Sequence, residues 1–211
     1  MRNIKIDIIN LAHREDRKNQ SIESMAKIKD LIITKENFFE ACNMPDNGMM
    51  GCAISHFSVI SDFIKQPEYD YQIIFEDDIE FRQEFELKSI LNVLYQFAPT
   101  FDAFLFAHNT AIFTEVIYSN YQKVINAQTA SGYLIARKFA PKLLECFARA
   151  INSMSKFSNP EQRPLINSLF AHDILWKQLQ LENLFITTNP AHGFQRASYS
   201  DIEKKDVDYG V

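Results

Sequence analysis

Short runs of β-branched and aromatic residues recur along this chain, and they limit its possible folds more than any other feature. They are IKIDIINL (4–11), YQIIF (71–75), FDAFLFA (101–107), SGYLIAR (131–137) and LFITT (184–188). Runs of this length and type read as buried strands. Between them lie stretches with apolar residues at helical spacing. Ile22, Met25 and Ile28 mark a surface helix over 14–29. Ile54, Phe57, Ile60 and Ile64 mark a helix over 51–65 with one buried face. Helices are also expected over 84–97, over 138–151 (Phe139, Leu143, Phe147 and Ile151 on one side) and over 165–181. LIIT (31–34) and NFFEAC (37–42) read as two short strands, and 111–136 as two or three. MPDNG (44–48) is a turn, 159–164 a loop, and the segment from Asn189 an irregular polar tail. Strands alternating with helices of crossover length imply an α/β domain built on a mostly parallel sheet flanked by helices. A length of 211 residues with 46% hydrophobic content suits a single domain spanning 1–211.

The balance of charge and the cysteines exclude some functions. A net charge of −5 disfavours binding to a nucleic-acid backbone, while leaving room for a local basic site. Cys42, Cys52 and Cys146 are odd in number, and their spacing fits neither a disulfide framework nor a zinc signature. MRNIKIDIIN is too short and too charged for a signal peptide, and no apolar run reaches the ~18 residues of a membrane span. The expectation is a soluble intracellular protein with no transmembrane segment, with peripheral association to membranes left open.

In open α/β sheets, ligands bind beyond the carboxyl ends of the strands. There the segment IIFEDDIEF (73–81) runs from an apolar strand into three consecutive acids, Glu76, Asp77 and Asp78. Side chains alternate along an extended segment, so Glu76 and Asp78 are expected on one face and Asp77 on the other. Adjacent carboxylates raise each other's pKa unless a cation lies between them. Hard oxygen ligands suit Mg²⁺ or Mn²⁺, with phosphate oxygens completing the shell. Taken alone, the motif reads either as a metal–diphosphate site or as a solvated acidic turn ahead of a helix near Glu84. Arg14 and Arg17, just past the first strand, are spaced to share a helix face and can meet a diphosphate, or can pair with Glu15 and Asp16. NGMMGCAISH (47–56) puts Gly48, Gly51, Cys52, Ser55 and His56 at a helix start. His56 follows Cys52 by one turn; two ligands do not make a zinc site, so a buried, hydrogen-bonded histidine is expected there. In AHDILW (171–176), Asp173 reads as a helix-start acid and Trp176 as a sugar-facing wall or a core residue. An adjacent His-Asp pair also occurs in all-helical metal phosphohydrolases, which the strand–helix alternation argues against. Tyr133 is a core tyrosine or lines an acceptor pocket.

In their order these stretches resemble glycosyltransferase family 25, which includes lipooligosaccharide and procollagen-lysine galactosyltransferases. The resemblance is carried by Ile9-Asn10-Leu11 with Arg14, Asp16 and Arg17; by Glu40-Ala41; by Gly48, Gly51-Cys52 and Ser55-His56; by Glu76-Asp77-Asp78 and Phe81; by Gly132 to Ile135; by Asp173; and by Pro190, His192 and Ser200-Asp201-Ile202. It covers nearly the whole chain. It implies a GT-A-type nucleotide-sugar fold and transfer of a hexose, with inversion, from a UDP-sugar to a hydroxyl of a glycan or glycoprotein acceptor. It also implies a Mn²⁺ or Mg²⁺ ion held by the acidic motif, Asp78 first, with Glu76, and with His192 as a further ligand from a tail (189–211) that contributes to the site. Asn10, Leu11, Arg14, Arg17, Ala41, Ser55, His56 and Asp77 fall in the nucleotide-sugar region, and Asp173 is the candidate base. The chain departs from the family pattern at Met49, where Glu is usual, and at Asn43, where Asp is usual. These departures keep open a second reading, a catalytically inactive sugar- or partner-binding module. A nucleotidyltransferase or other metal-dependent enzyme acting on nucleotide sugars is a third.

Overall fold

The computed structural model describes residues 3–156, 159, 161–200 and 205–207. In chain order the strands and helices are β1 (Ile4–Asn10), α1 (Glu15–Met25), β2 (Phe38–Glu40), α2 (Gly48–Ile64), β3 (Tyr71–Glu76), β4 (Ile79–Phe81), α3 (Leu87–Phe97) and β5 (Ala103–Leu105). They continue with β6 (Asn109–Tyr118), β7 (Tyr121–Gln128), β8 (Gly132–Ala136), α4 (Ala140–Ser155), α5 (Arg163–Phe170), α6 (His172–Leu175), α7 (Lys177–Glu182) and β9 (Phe185–Thr188). Three short strands follow: β10 (Gly193–Gln195), β11 (Ser198–Ser200) and β12 (Lys205–Val207).

The expected α/β architecture is present. An eight-stranded sheet has the order β2-β1-β3-β8-β5-β9-β7-β6. Strands β2, β1, β3, β5, β9 and β6 run in one direction, and β8 and β7 run against them. Period-2 alternation sorts the strand side chains to two faces. Ile8, Ile73, Phe75, Phe104 and Leu134 pack on one face with Met25, Ile90, Leu91 and Leu94 from the helical layer of α1 and α3. Their neighbours Ile9, Ile74, Ala103, Leu105, Tyr133 and Ile135 pack on the other with Val59, Ile60 and Phe63 of α2, Leu143 and Phe147 of α4, and Trp176 and Leu179. β3 and β8 are buried along almost their whole length, because helices cover both faces of the sheet.

The structure departs from the sequence reading in identifiable places. LIIT forms no strand: Ile32 is exposed, Leu31 and Ile33 rest against the core without pairing, and Thr34 and Asn37 close a capping box around a short 3-10 turn. The third helix begins at Leu87 rather than near Glu84, because the Asp30 carboxylate accepts from the Leu87 and Lys88 N–H groups at 2.6 and 2.8 Å, capping it from a distant loop. The helix expected over 165–181 is three short helices, broken at Ala171 and Trp176. Tertiary hydrogen bonds decide this. The Trp176 indole donates to the Ala127 carbonyl at 3.1 Å. The Gln180 amide satisfies both backbone groups of Ala127, at 2.7 and 2.9 Å. The tail is not wholly irregular either: β10 pairs antiparallel with β4, and β11 with β12. Asp201 and Ile202 lie outside the described residues.

Candidate active site

Strands β1 and β3 end side by side, with Ile9 opposite Glu76, and β2 extends that edge with Asn10 opposite Glu40. Past these carboxyl ends lies a cavity walled by Leu11, Ala41, Asn43, Met44, Gly48 and Ser55, with Arg17, Cys52, Glu76, Asp77, Asp78 and Gln195 supplying its polar groups. Gly51 makes the wall possible. A Cβ there would stand 2.6 Å from the Cys42 carbonyl oxygen, so only glycine lets the 42–45 loop lie this close to α2. The Ser55 hydroxyl ties the same loop down, accepting from the Cys42 N–H and donating to the Gly51 carbonyl, each at 2.8 Å.

All three acids line this one cavity. The expected alternation stops because β3 ends at Glu76 and a turn carries Asp77 and Asp78. Asp77 accepts from the Asn10 amide at 2.7 Å and from Arg17 at 2.9 Å. Arg17 also lies 3.6 Å from Asp78 and donates to the Tyr199 carbonyl at 2.8 Å. The Asp78 Oδ2 accepts from Gln195 at 3.1 Å, and the Asp78 carbonyl accepts from the Arg196 N–H at 2.8 Å, so the β10 end of the tail closes on the acidic turn. The Asp78 Oδ1 is buried without a hydrogen-bond partner among the described residues. Burial raises the pKa of all three acids. Asp78 reaches about 6, with the Glu76 charge adding to burial and Arg17 opposing it. Glu76 reaches about 7, with the Asp77 charge adding to burial. Asp77 is raised by burial and the Asp78 charge, with Arg17 and Asn10 opposing them. This is the electrostatic state of a site short of positive charge.

Behind Glu76 lies a second layer. The His56 Nε2 is 2.8 Å from the Glu76 Oε1, and its Nδ1 is 2.8 Å from the Tyr133 hydroxyl. The Cys52 thiol is directed at the same Glu76 oxygen at 3.5 Å. The His172 ring stacks on His56 with centroids 4.6 Å apart, and both of its nitrogens are buried without a hydrogen-bond partner among the described residues. Burial lowers both imidazoles to about 3, so both are neutral at physiological pH. Ligand atoms of Cys52, His56, Glu76 and His172 all lie within 4.8 Å of one another.

Other expected site residues fall elsewhere. Arg14 precedes α1 and forks onto Asp16 at 2.9 and 2.8 Å. Asp173, at the start of α6, accepts from the Thr129 N–H at 3.2 Å and is not among the residues lining the cavity. His192 is not among the residues lining the cavity with the acids; its ring packs on Phe85 and Phe104, and its carbonyl accepts from the Arg82 N–H at 2.9 Å. Met49 packs against the small cluster of Ala53, Ala150, Met154 and Ile166, while Asn43 is exposed on the cavity wall. Sequence reasoning misses Gln195 and Arg196, for which no local pattern exists, and His172, whose only signal is its place beside Asp173.

A family model described as Glycosyltransferase family 25 (LPS biosynthesis protein) matches residues 46–157. The chain is 30% identical over 106 residues to an Acanthamoeba polyphaga mimivirus protein named "Putative glycosyltransferase". That match covers 41% of this chain and 32% of the relative, so it spans about a third of the relative's length. Among solved structures, A197 from STIV superposes with a TM-score of 0.51 at 11% identity, covering 98% of this chain and 93% of that one, a likeness of fold. Mannose-1-phosphate geranyltransferase from Thermus thermophilus superposes with a TM-score of 0.49 at 8% identity, over 96% of this chain and 76% of that one.

Proposed function

The chain belongs to glycosyltransferase family 25, and from that membership we propose that it transfers a hexose from a UDP-sugar to a hydroxyl of a glycan or glycoprotein acceptor, with inversion at the sugar carbon and with the help of Mn²⁺ or Mg²⁺. The observation that carries the proposal is the convergence of Glu76, Asp77 and Asp78 on one cavity beyond the strand ends, with Arg17 beside them and an unpartnered Asp78 oxygen among them. Residues of this kind fit a divalent cation: the donors are hard oxygens, Arg17 offsets the three carboxylates only in part, and one buried lone-pair donor is unsatisfied. Asp78 would hold the ion, with Glu76 beside it. Bound there, it would supply charge stabilisation for the departing diphosphate.

The remaining roles fall to the chain itself. Arg17 offsets negative charge at the mouth of the site and is held in place by Asp77 and the Tyr199 carbonyl. Asn10 fixes the Asp77 carboxylate, so the turn enters the site with a single geometry. Leu11 and Ala41 give an apolar wall against which a nucleobase can lie. Asp173 is the proposed base; the Thr129 N–H fixes one of its oxygens, and proton removal by a positioned carboxylate is worth roughly 10²–10⁴ in rate. UDP release from a panel of UDP-hexoses tests the proposal. Release is expected with Mn²⁺, to be absent with a chelator, and to fall at least a hundredfold in Asp78→Ala. Tight UDP binding with no turnover on any donor or acceptor would instead support the inactive binding module. Turnover that survives Asp78→Ala would remove the metal assignment.

A further inference from the structure

We propose that Cys52, His56, Glu76 and His172 form a binding site for a zinc-class cation, distinct from the hard-oxygen site at Asp78. The four residues come from three elements: Cys52 and His56 lie one turn apart on α2, Glu76 ends β3, and His172 opens α6. A single pair on one helix is a weak signal. The fold adds a carboxylate from 20 residues beyond His56 and an imidazole from a distant part of the chain, and all four ligand atoms fall within 4.8 Å of one another. Tetrahedral Zn²⁺ with bonds of about 2.0–2.3 Å needs ligand atoms roughly 3.3–3.8 Å apart. Two of the contacts are already inside or near that range: His56 to Glu76 at 2.8 Å and Cys52 to Glu76 at 3.5 Å. Side-chain adjustments of about an ångström therefore complete the shell.

Independent observations point the same way. His172 is 3% exposed, yet both of its ring nitrogens lack a hydrogen-bond partner among the described residues. A buried imidazole N–H left without an acceptor is costly, and a metal bond would engage one of the two nitrogens. His56 carries the orienting contact usual for a metal-bound imidazole, with its far nitrogen 2.8 Å from the Tyr133 hydroxyl. The donor set of one thiolate, two imidazoles and one carboxylate matches Zn²⁺ rather than Mg²⁺ or Ca²⁺. The charges also close. Binding releases the Cys52 thiol proton and any proton on Glu76, so Zn²⁺ with one thiolate, one carboxylate and two neutral imidazoles is electrically neutral, as a buried site requires. Cys52 and Glu76 line the cavity, which gives the ion a way in. Filled, the site would clamp α2, β3 and α6 together behind the donor cavity and commit the Glu76 Oε1 inward. The other Glu76 carboxylate oxygen would remain available to the hard-metal site that Asp78 holds.

The site does not depend on sugar transfer, and its test uses binding alone. The 211-residue chain, stripped with a chelator, is titrated with Co²⁺ and then Zn²⁺. One equivalent of Co²⁺ should produce a near-ultraviolet thiolate-to-metal band together with intense visible bands of tetrahedral geometry, and Zn²⁺ should bleach both. Cys52→Ser should lose the near-ultraviolet band, and His172→Ala should weaken Co²⁺ binding at least tenfold. Asp78→Ala should leave the band unchanged, which separates this site from the one proposed for the diphosphate. Wild-type protein that gives no such band and no Zn²⁺-dependent rise in melting temperature overturns the proposal without any variant. A band that persists in folded Cys52→Ser overturns it equally.

Discussion

Replacing Asp78 with Asn should make the metal-free protein more stable while removing its activity, and the size of the gain can be worked from the site. The Asp78 side chain is 9% exposed, and burial with the Glu76 charge raises its pKa from 3.8 to about 6. A carboxyl whose folded pKa is raised costs nothing below its ordinary value. The cost then grows as pH climbs through the window from 3.8 to about 6 and is complete above it. A rise of that size corresponds to about 3 kcal/mol at pH 8, falling to about 1 kcal/mol at pH 4.5. Asn keeps the volume of Asp78 and can still accept from Gln195, and Arg17 keeps its shorter partner, Asp77. For a chain of this length, about 3 kcal/mol amounts to roughly 6–12 °C in Tm. Thermal melts of both proteins in chelator, at pH 8 and pH 4.5, measure it. Asp78→Asn is expected to melt well above wild type at pH 8, with the gap closing at pH 4.5 and shrinking when Mn²⁺ is added to wild type at pH 8. A variant that melts lower at pH 8, or a gap independent of pH, would refute the claim that uncompensated buried charge dominates this turn.

Other substitutions probe the frame around the acids. Gly51→Ala gains helix propensity but sets a Cβ 2.6 Å from the backbone oxygen of Cys42, so a net loss of about 2 kcal/mol is expected by chemical denaturation, with weaker UDP binding as the cavity wall shifts. Arg17→Ala strips a 2.9 Å partner from Asp77, whose side chain is 8% exposed, and should cost about 3 kcal/mol. Its UDP affinity, measured by calorimetry, should fall at least tenfold. Tyr133→Phe removes the group facing the His56 Nδ1 and should destabilise by about 1 kcal/mol with the fold intact, read from urea midpoints.

Much of the frame can be read without coordinates. The alternation at Ile8 and Ile9, or at Leu134 and Ile135, already separates the two faces of the sheet, because a strand's period of two is a local property. The acids after β3 are recognisable for the same reason: a buried run that ends in three carboxylates marks the carboxyl end of a strand, where α/β sheets bind ligands. Element ends are less legible, since the start of α3 depends on Asp30 in a distant loop and the breaks around α6 on Ala127 in β7. The continuous apolar spacing over 165–181 suggests one helix, but the indole of Trp176 and the amide of Gln180 satisfy a strand's backbone, and that cooperation is invisible to any local pattern.

A sheet flanked by helices, its two faces and the position of the acidic turn can all be read from the periodicity or composition of short segments. What that turn meets was set by tertiary packing. It turned Gln195 and Arg196 onto Asp78 and sent His192 to Phe85 and Phe104. It also gathered Cys52, His56 and His172 behind Glu76. Spacing along a helix can show that Cys52 and His56 share a face. It cannot show that a histidine more than a hundred residues later completes the cluster, because that meeting is set by how α6 packs against α4 and α2, and not by anything near it in the chain.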